Sequence, residues 1–380
     1  MKIIKNSKIY VEGEGIVKTS LAFDEKIVSI GAVVDGEEIV IPEDAIVVPG
    51  FIDEHIHGAG GADAMDGTVE AISTIANTVA KEGTTTFLAT TMTQSPENIT
   101  KALKAVKEYR ESAPSTGARV GGVHLEGPFI ALSHKGAQPA EFVAKPSISV
   151  FDGYNEASGN CIRIVSLAPE EEGSSELIAH LAKNGIIPSI GHTAAKAVNV
   201  REAIRSGAKH VTHTYNAQSP LHHREIGVVG SALLYDDLNA ELICDTIHVS
   251  VPAMQLVAKC KPSDKLTLIT DAMRAKGLGE GVSELGGQTV IVKNGEARLT
   301  DGTLAGSVLL MNDAIKNMVE KVGVSFTSAI DYATKNPAKA LGIYEQTGSI
   351  KVGKNADLTV LSSDYKVLLT IRDGEIIYKA

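Results

Sequence analysis

The sequence predicts an α/β protein: a (β/α)8, TIM-like barrel carrying a small β-sandwich module formed by the N- and C-terminal segments. Three observations predict it. Between residues 46 and 272, eight short apolar runs of β type alternate with amphipathic helical patterns, and strands that alternate with helices form parallel βαβ units. Eight such units fit a closed barrel. The segments on either side of that stretch are rich in Val and Ile, broken by Gly, Asn and Asp, and carry no helical period. An open doubly wound sheet is the rival architecture. It places a G-x-G-x-x-G run after the first strand, and "GAGGADAMDG" does not have that order.

Taken in order, residues 1–48 read as short strands: "KIIKNSKIYVEG", "GIVKTSLAFDEKIVSIGAVV" and "EEIVIP". The apolar run Ile46, Val47, Val48 and Pro49 leads into the first barrel strand, which ends "GFIDEHIH". In "TVEAISTIANTVAKEG", Val69, Ile72, Ile75, Ala76 and Val79 share one helical face, and Gly83 stops the helix. "TTTFLATTMT" is the second strand. "SPENITKALKAVKEYRES" follows with Ser95 as N-cap and Pro96 at the first helical position. "RVGGVHLEG", "IRIVSLA", "IIPSIGH", "KHVTHTY", "ELICDTI" and "LTLITDA" supply strands three to eight. The stretch 279–307 reads as a β-hairpin insertion, centred near 280–303. At the C-terminus, "RDGE" at 372–375 is a hairpin turn between "VLLTI" and "IIY". The expected division is a small β domain from 1–48 plus 347–380 and a barrel from 49–346.

Composition narrows the classes of function. Of the 380 residues 43% are apolar and 22% charged, as in ordinary globular proteins, and no stretch approaches the ~20 apolar residues of a membrane span. The N-terminal stretch has no sustained apolar core of a signal peptide. A net charge of −10 argues against bulk nucleic-acid binding while leaving room for a pocket that takes one phosphate. Cys161, Cys244 and Cys260 form no C-x-x-C pair and read as reduced thiols, which makes a cytoplasmic protein the expectation.

Chemistry is expected where the barrel strands end, because the C-terminal face of such barrels carries the active site. Strand one ends in His55 and His57; in an extended chain these project to the same side, as two ligands of one metal ion do. Strand three ends in His124 and Glu126, strand five in His192, strand six in His213 and strand eight in Asp271. Singly, each reads as a hydrogen-bonded turn residue or a helix cap. Together, on one rim, they read as a metal site.

The runs "VVPGFIDEHIHG", "HLEGPF", "GHT", "THTYNA", "LITDAM" and "LAGS", with "KNPAKALGI" and "GSIKVGKNADLTVL" near the end, resemble the amidohydrolase superfamily. More narrowly they are similar to the N-acetylglucosamine-6-phosphate deacetylase family, along essentially the whole chain. Other branches bridge two metals with a carbamylated lysine from strand four; "IRIVSLAPE" has no lysine, and Glu126 is the anionic candidate. The resemblance implies that Glu126, His192 and His213 hold one divalent metal, zinc or iron, and that His55 and His57 give capacity for a second. It implies hydrolysis of N-acetyl-D-glucosamine 6-phosphate to D-glucosamine 6-phosphate and acetate by metal-activated hydroxide, with Asp271 as general base and then acid. For the substrate it points to Ala137, Gln138, Asn216, Ala217, Arg224 and His248, and to Leu304, Ala305 and Gly306 lining the sugar. Arg224 is the expected phosphate partner, since a guanidinium matches phosphate oxygens; the alternative is a surface ion pair with Glu225. Gln138 stands where the family often has histidine, and cannot carry charge. His134, His222 and His223 read as loop and surface residues. A homodimer or higher homo-oligomer is implied, with no nucleic acid or membrane partner. The rivals are the galactosamine epimer as substrate and a non-catalytic sugar-phosphate-binding scaffold on the same fold.

Overall fold

A computed structural model describes residues 1–32 and 34–380. Eight strands form one all-parallel sheet in chain order: β1 (Phe51–Ile56), β2 (Thr84–Thr91), β3 (Arg119–Glu126), β4 (Ile162–Leu167), β5 (Ile187–Ile190), β6 (His210–Val211), β7 (Asn239–Ile243) and β8 (Leu266–Ile269). All eight residues of β2, "TTTFLATT", are buried, as expected of a parallel strand covered on both faces. β8 returns to β1 without a regular ladder. Ile56 bridges Ala272 in parallel, the Asp271 amide donates to the His55 carbonyl at 2.8 Å, and the Asp53 carboxylate accepts from the Thr270 hydroxyl at 2.5 Å. The barrel is thus closed by the strand ends that carry the candidate residues.

The helices sit outside, where their patterns put them. Helix Val69–Val79 starts on the Thr68 hydroxyl, which accepts from the Ala71 amide, and buries Ile72, Ile75, Ala76 and Val79. Helix Pro96–Glu111 is capped by Ser95, with proline at its start. Both ends obey elementary rules of helix termini, so these two helices follow from local sequence alone.

The chain ends meet in a second sheet. Its path runs from the C-terminal strands Glu375–Lys379, Val367–Arg372 and Leu358–Leu361, through Ile46–Pro49, to Lys2–Val11, Gly15–Phe23 and Ile27–Ile30, with Glu37–Glu38 beside Lys2–Val11. The strands form one continuous path, whose limbs share a core that includes Ile4, Leu21 and Phe23 from one end and Leu358, Val360 and Ile371 from the other. The apolar run that begins at Ile46 is therefore divided: Ile46–Pro49 belongs to this sheet, and β1 begins at Phe51. Gly50 sits at the division, where a Cβ would lie 2.3 Å from the Thr85 side chain.

The insertion after β8 has three antiparallel strands rather than two: Gly281–Leu285, Gln288–Lys293 and Glu296–Leu299. The third forms because Asn294 and Gly295, with φ of 52° and 77°, make a two-residue turn matched to strand twist. Leu285, Val290 and Leu299 pack with Met92, Met273 and Ala305 beside the barrel mouth. Among the described residues no helix is long and apolar enough to cross a membrane.

Candidate active site

At the C-terminal ends of the strands, two carboxylates and four imidazoles converge. Glu126, the last residue of β3, presents Oε1 to His213 Nε2 at 3.0 Å, His192 Nε2 at 3.2 Å and His55 Nε2 at 3.4 Å. Its Oε2 lies 3.3 Å from His57 Nε2. Asp271 Oδ1 lies 3.2 Å from His57 Nε2 and 3.5 Å from His55 Nε2. Two triads result, Glu126–His192–His213 and His55–His57–Asp271, each with its ligand atoms within 4.8 Å of one another and all residues buried.

The backbone is bent to achieve this. His192, His213 and Asp271 have φ of 49°, 30° and 48°, a left-handed conformation that costs non-glycine residues energy and concentrates at functional sites. Gly191, before His192, is forced by crowding: a Cβ there would lie 2.6 Å from that of Thr212.

The donor set fits a divalent cation. His192 Nε2 and His213 Nε2 face each other at 3.1 Å, and His55 Nε2 is buried without a hydrogen-bond partner. Imidazole lone pairs and carboxylates around one point are the ligand set of catalytic zinc and iron sites. Electrostatics agrees. Burial disfavours charge on Glu126, yet His55, His192 and His213 hold its carboxyl well below its usual range. Burial opposes charge on Asp271 too, and His55 and His57 hold it down to about 2. Burial likewise works against a charged His57, but hydrogen bonds to Asp271 and Glu126 push it up to about 10. Protons on imidazoles balance the carboxylates here; a divalent ion gives the same balance with neutral rings.

Next to the triads opens a cavity of about 350 Å³, lined by His57, Glu126, His192, His213 and Asp271. Of the residues expected at the substrate, Ala137, Gln138, Asn216, Ala217, His248, Leu304 and Gly306 line it. Ala305 is fully buried beneath the wall, and Arg224 is exposed and outside it, its guanidinium 2.7 Å from His223 Nε2. His222 and His223 are exposed, whereas His134 lines the cavity and accepts His192 Nδ1 on its carbonyl at 2.9 Å. Gln138 is committed to the protein at both ends: its Oε1 accepts from the Thr93 amide and its Nε2 donates to Glu126 Oε2, each at 2.7 Å. His248 Nδ1 lies 2.6 Å from Asp245 Oδ2. A larger cavity, about 540 Å³, is lined by Arg110, Arg119 and Arg372 at the other end of the barrel, away from the triads.

Glu241 and Asp245 complete the surroundings of the site and escaped the reading of the sequence. The only local signal was an acid inside the apolar run of strand seven, "ELICD".

A model of the amidohydrolase family matches residues 46–377, and the chain belongs to that family, which implies a divalent metal. Within it, the chain is 46% identical over 344 residues to the N-acetylglucosamine-6-phosphate deacetylase of Bacillus subtilis (strain 168), covering 90% of this chain and 87% of that one. It is 38% identical over 322 residues to an N-acetylgalactosamine-6-phosphate deacetylase of Escherichia coli O157:H7, covering 85% of each. Among solved structures it matches a mutant N-acetyl-D-glucosamine-6-phosphate deacetylase from Mycobacterium smegmatis in complex with N-acetyl-D-glucosamine-6-phosphate, with a TM-score of 0.92 at 28% identity over 100% of this chain and 99% of that one.

Proposed function

We propose that the protein hydrolyses N-acetyl-D-glucosamine 6-phosphate to D-glucosamine 6-phosphate and acetate. The observation that carries this reading is the position of Asp271 Oδ1, 3.2 Å from His57 Nε2 beside the Glu126–His192–His213 triad, on the wall of a sugar-sized cavity. Glu126, His192 and His213 hold one divalent ion, zinc or iron, and His55 and His57 with Asp271 give room for a second. When bound, the ion supplies positive charge that acidifies a water molecule and polarises the acetyl oxygen.

The chain's own residues do the rest. The Asp271 carboxylate, on the cavity wall 3.2 Å from His57 Nε2, takes the proton of the attacking water. The water oxygen bonds to the acetyl carbon, the carbon–nitrogen bond breaks, and Asp271 returns the proton to the departing amine, which leaves poorly as an anion. Gln138 fixes the Glu126 carboxylate. His248, held on Asp245, and the backbone around Leu304 and Gly306 face the sugar. Ala137 and Ala217 give the cavity wall small, uncharged side chains.

The residues lining the cavity include no Lys or Arg. This supports a phosphate end completed by Arg224, on the loop after Asn216 and Ala217, and by a second copy of the chain in a homo-oligomer. The galactosamine epimer differs at one hydroxyl, and a relative of that specificity is 38% identical. The experiment is acetate release from both N-acetylated sugar phosphates by metal-analysed protein. Faster turnover of the glucosamine substrate is expected; the opposite preference, or no turnover of either by metal-loaded protein, overturns the reading.

A further inference from the structure

Of the four imidazoles in the two triads, two have the far ring nitrogen engaged. His192 Nδ1 faces the His134 carbonyl, and His55 Nδ1 faces Glu241 Oε2 at 3.0 Å. His57 Nδ1 and His213 Nδ1 are buried without a partner. Only His55 is therefore held by a charged group. Oε2 of Glu241 also faces the His213 amide as an acceptor, so in a neutral His55 ring Nδ1 carries the hydrogen toward it and the Nε2 lone pair points into the cluster.

Glu241 lies on β7 and is fully buried. Among the described residues its one ion pair is with His55. The same Oε2 accepts the His213 amide at 3.2 Å, so one oxygen ties the β1 imidazole to the backbone at the end of β6. Its other oxygen, Oε1, has no partner. Behind it, Glu54 has both oxygens unpartnered and lies 3.6 Å from His210 Nδ1. A buried carboxylate with no lysine or arginine costs several kcal/mol relative to an apolar residue of its size, and among the described residues Glu241 has only the His55 ring and one backbone amide to set against that cost.

We infer that Glu241 is a positioning residue: by fixing the tautomer and orientation of His55 it sets the affinity for the divalent ion at His55, His57 and Asp271. The inference rests on the metal-dependent reading above, and deepens it by giving one of the two triads a dedicated carboxylate support. A carboxylate on the far nitrogen raises the basicity of a ligating imidazole, and losing such a partner typically weakens metal binding ten- to a hundredfold.

The test is a Co2+ titration of metal-free protein followed by visible absorption, for the wild type, H55A, E241A, E241Q and E241A/H55A. E241A is expected to weaken, ten- to a hundredfold, the uptake phase that H55A removes. The phase belonging to Glu126, His192 and His213 stays within about threefold. E241Q, which keeps an acceptor oxygen, recovers part of the loss, and the double variant binds as H55A does. Far-UV circular dichroism checks folding, and E241Q, close to isosteric, carries the test if E241A does not fold. The inference is overturned if E241A or the test-bearing E241Q titrates as wild type, if the losses add in the double variant, or if both phases weaken equally. Wild type that takes up Co2+ in a phase indifferent to H55A overturns it while leaving metal-dependent hydrolysis standing. Wild type that takes up none overturns that reading as well.

Discussion

The two ends of the barrel bury charge in opposite ways. Toward the N-terminal end, acids are paired with lysine or arginine. Asp357 meets Arg119 at 3.1 Å, Asp373 meets the same guanidinium at 2.6 Å, and Glu82 meets the fully buried Lys276 at 2.6 Å. At the C-terminal mouth, the only ion-pair partners of Glu126 and Asp271 among the described residues are imidazoles. Where the protein needs only stability it encodes the counter-charge in the chain. Where it needs chemistry it leaves titratable, lone-pair-bearing rings around a point that a divalent ion can occupy.

The contrast can be broken at either end. The largest effect is expected from Asp271→Asn, which keeps the shape but cannot take a proton. Acetate release should fall at least a hundredfold, while plasma emission should still find the ion assigned to Glu126, His192 and His213. Normal rates in that variant would remove Asp271 from the reaction. At the other end, Lys276→Met leaves Glu82 buried without its cation, and denaturant unfolding should show a loss of about 3–5 kcal/mol. A cost below about 1 kcal/mol would mean that Glu82 takes up a proton instead, as its carboxyl, pushed by burial up to about 7, is poised to do.

Removing the ion by chelation should lower stability by about 3 kcal/mol when measured against metal at a hundred times its dissociation constant. Lys276→Met and its parent should show the same shift, because the two charge systems are separate; unequal shifts would show them coupled. Arg224→Met should raise KM several-fold with little change in kcat if the arginine meets only the phosphate. An unchanged KM would return it to the surface-pair reading.

A further test sharpens the comparison through pH. Burial, with Lys265 nearby, pushes the His210 imidazole down to about 3. Between that value and the ordinary histidine pKa of about 6.5, the unfolded chain binds a proton that the folded one refuses. Stability should therefore fall as pH drops from about 6.5 toward 3 and level off below. His210→Gln should flatten that slope; an equally steep slope in the variant would assign it to other groups.

Much of this was legible in the sequence because it is local. The eight strands announce themselves by apolar runs between helical patterns, and His55 and His57 by their spacing of two. Their rings lie 5.5 Å apart in the fold. What was not legible depends on distant partners. Glu241 meets His55 across 186 residues, and nothing near "ELICD" marks that meeting. The family resemblance points to Gln138 as a sugar contact; it lines the cavity, and what the sequence did not show is that its amide also holds Glu126. The run Ile46–Val48 leads straight into the first barrel strand in the sequence, and nothing local marks that Ile46–Pro49 pairs with strands from both chain ends.

The strand Ile46–Pro49 sits between Lys2–Val11 and Leu358–Leu361. During synthesis its first neighbour emerges early, and its second only when almost the whole chain has left the ribosome. For most of translation the segment leading into the barrel presents a bare edge of backbone amides and carbonyls, the kind of edge that recruits foreign strands. A chain shortened by its last two dozen residues would keep every group of both triads, yet would leave that edge open for good.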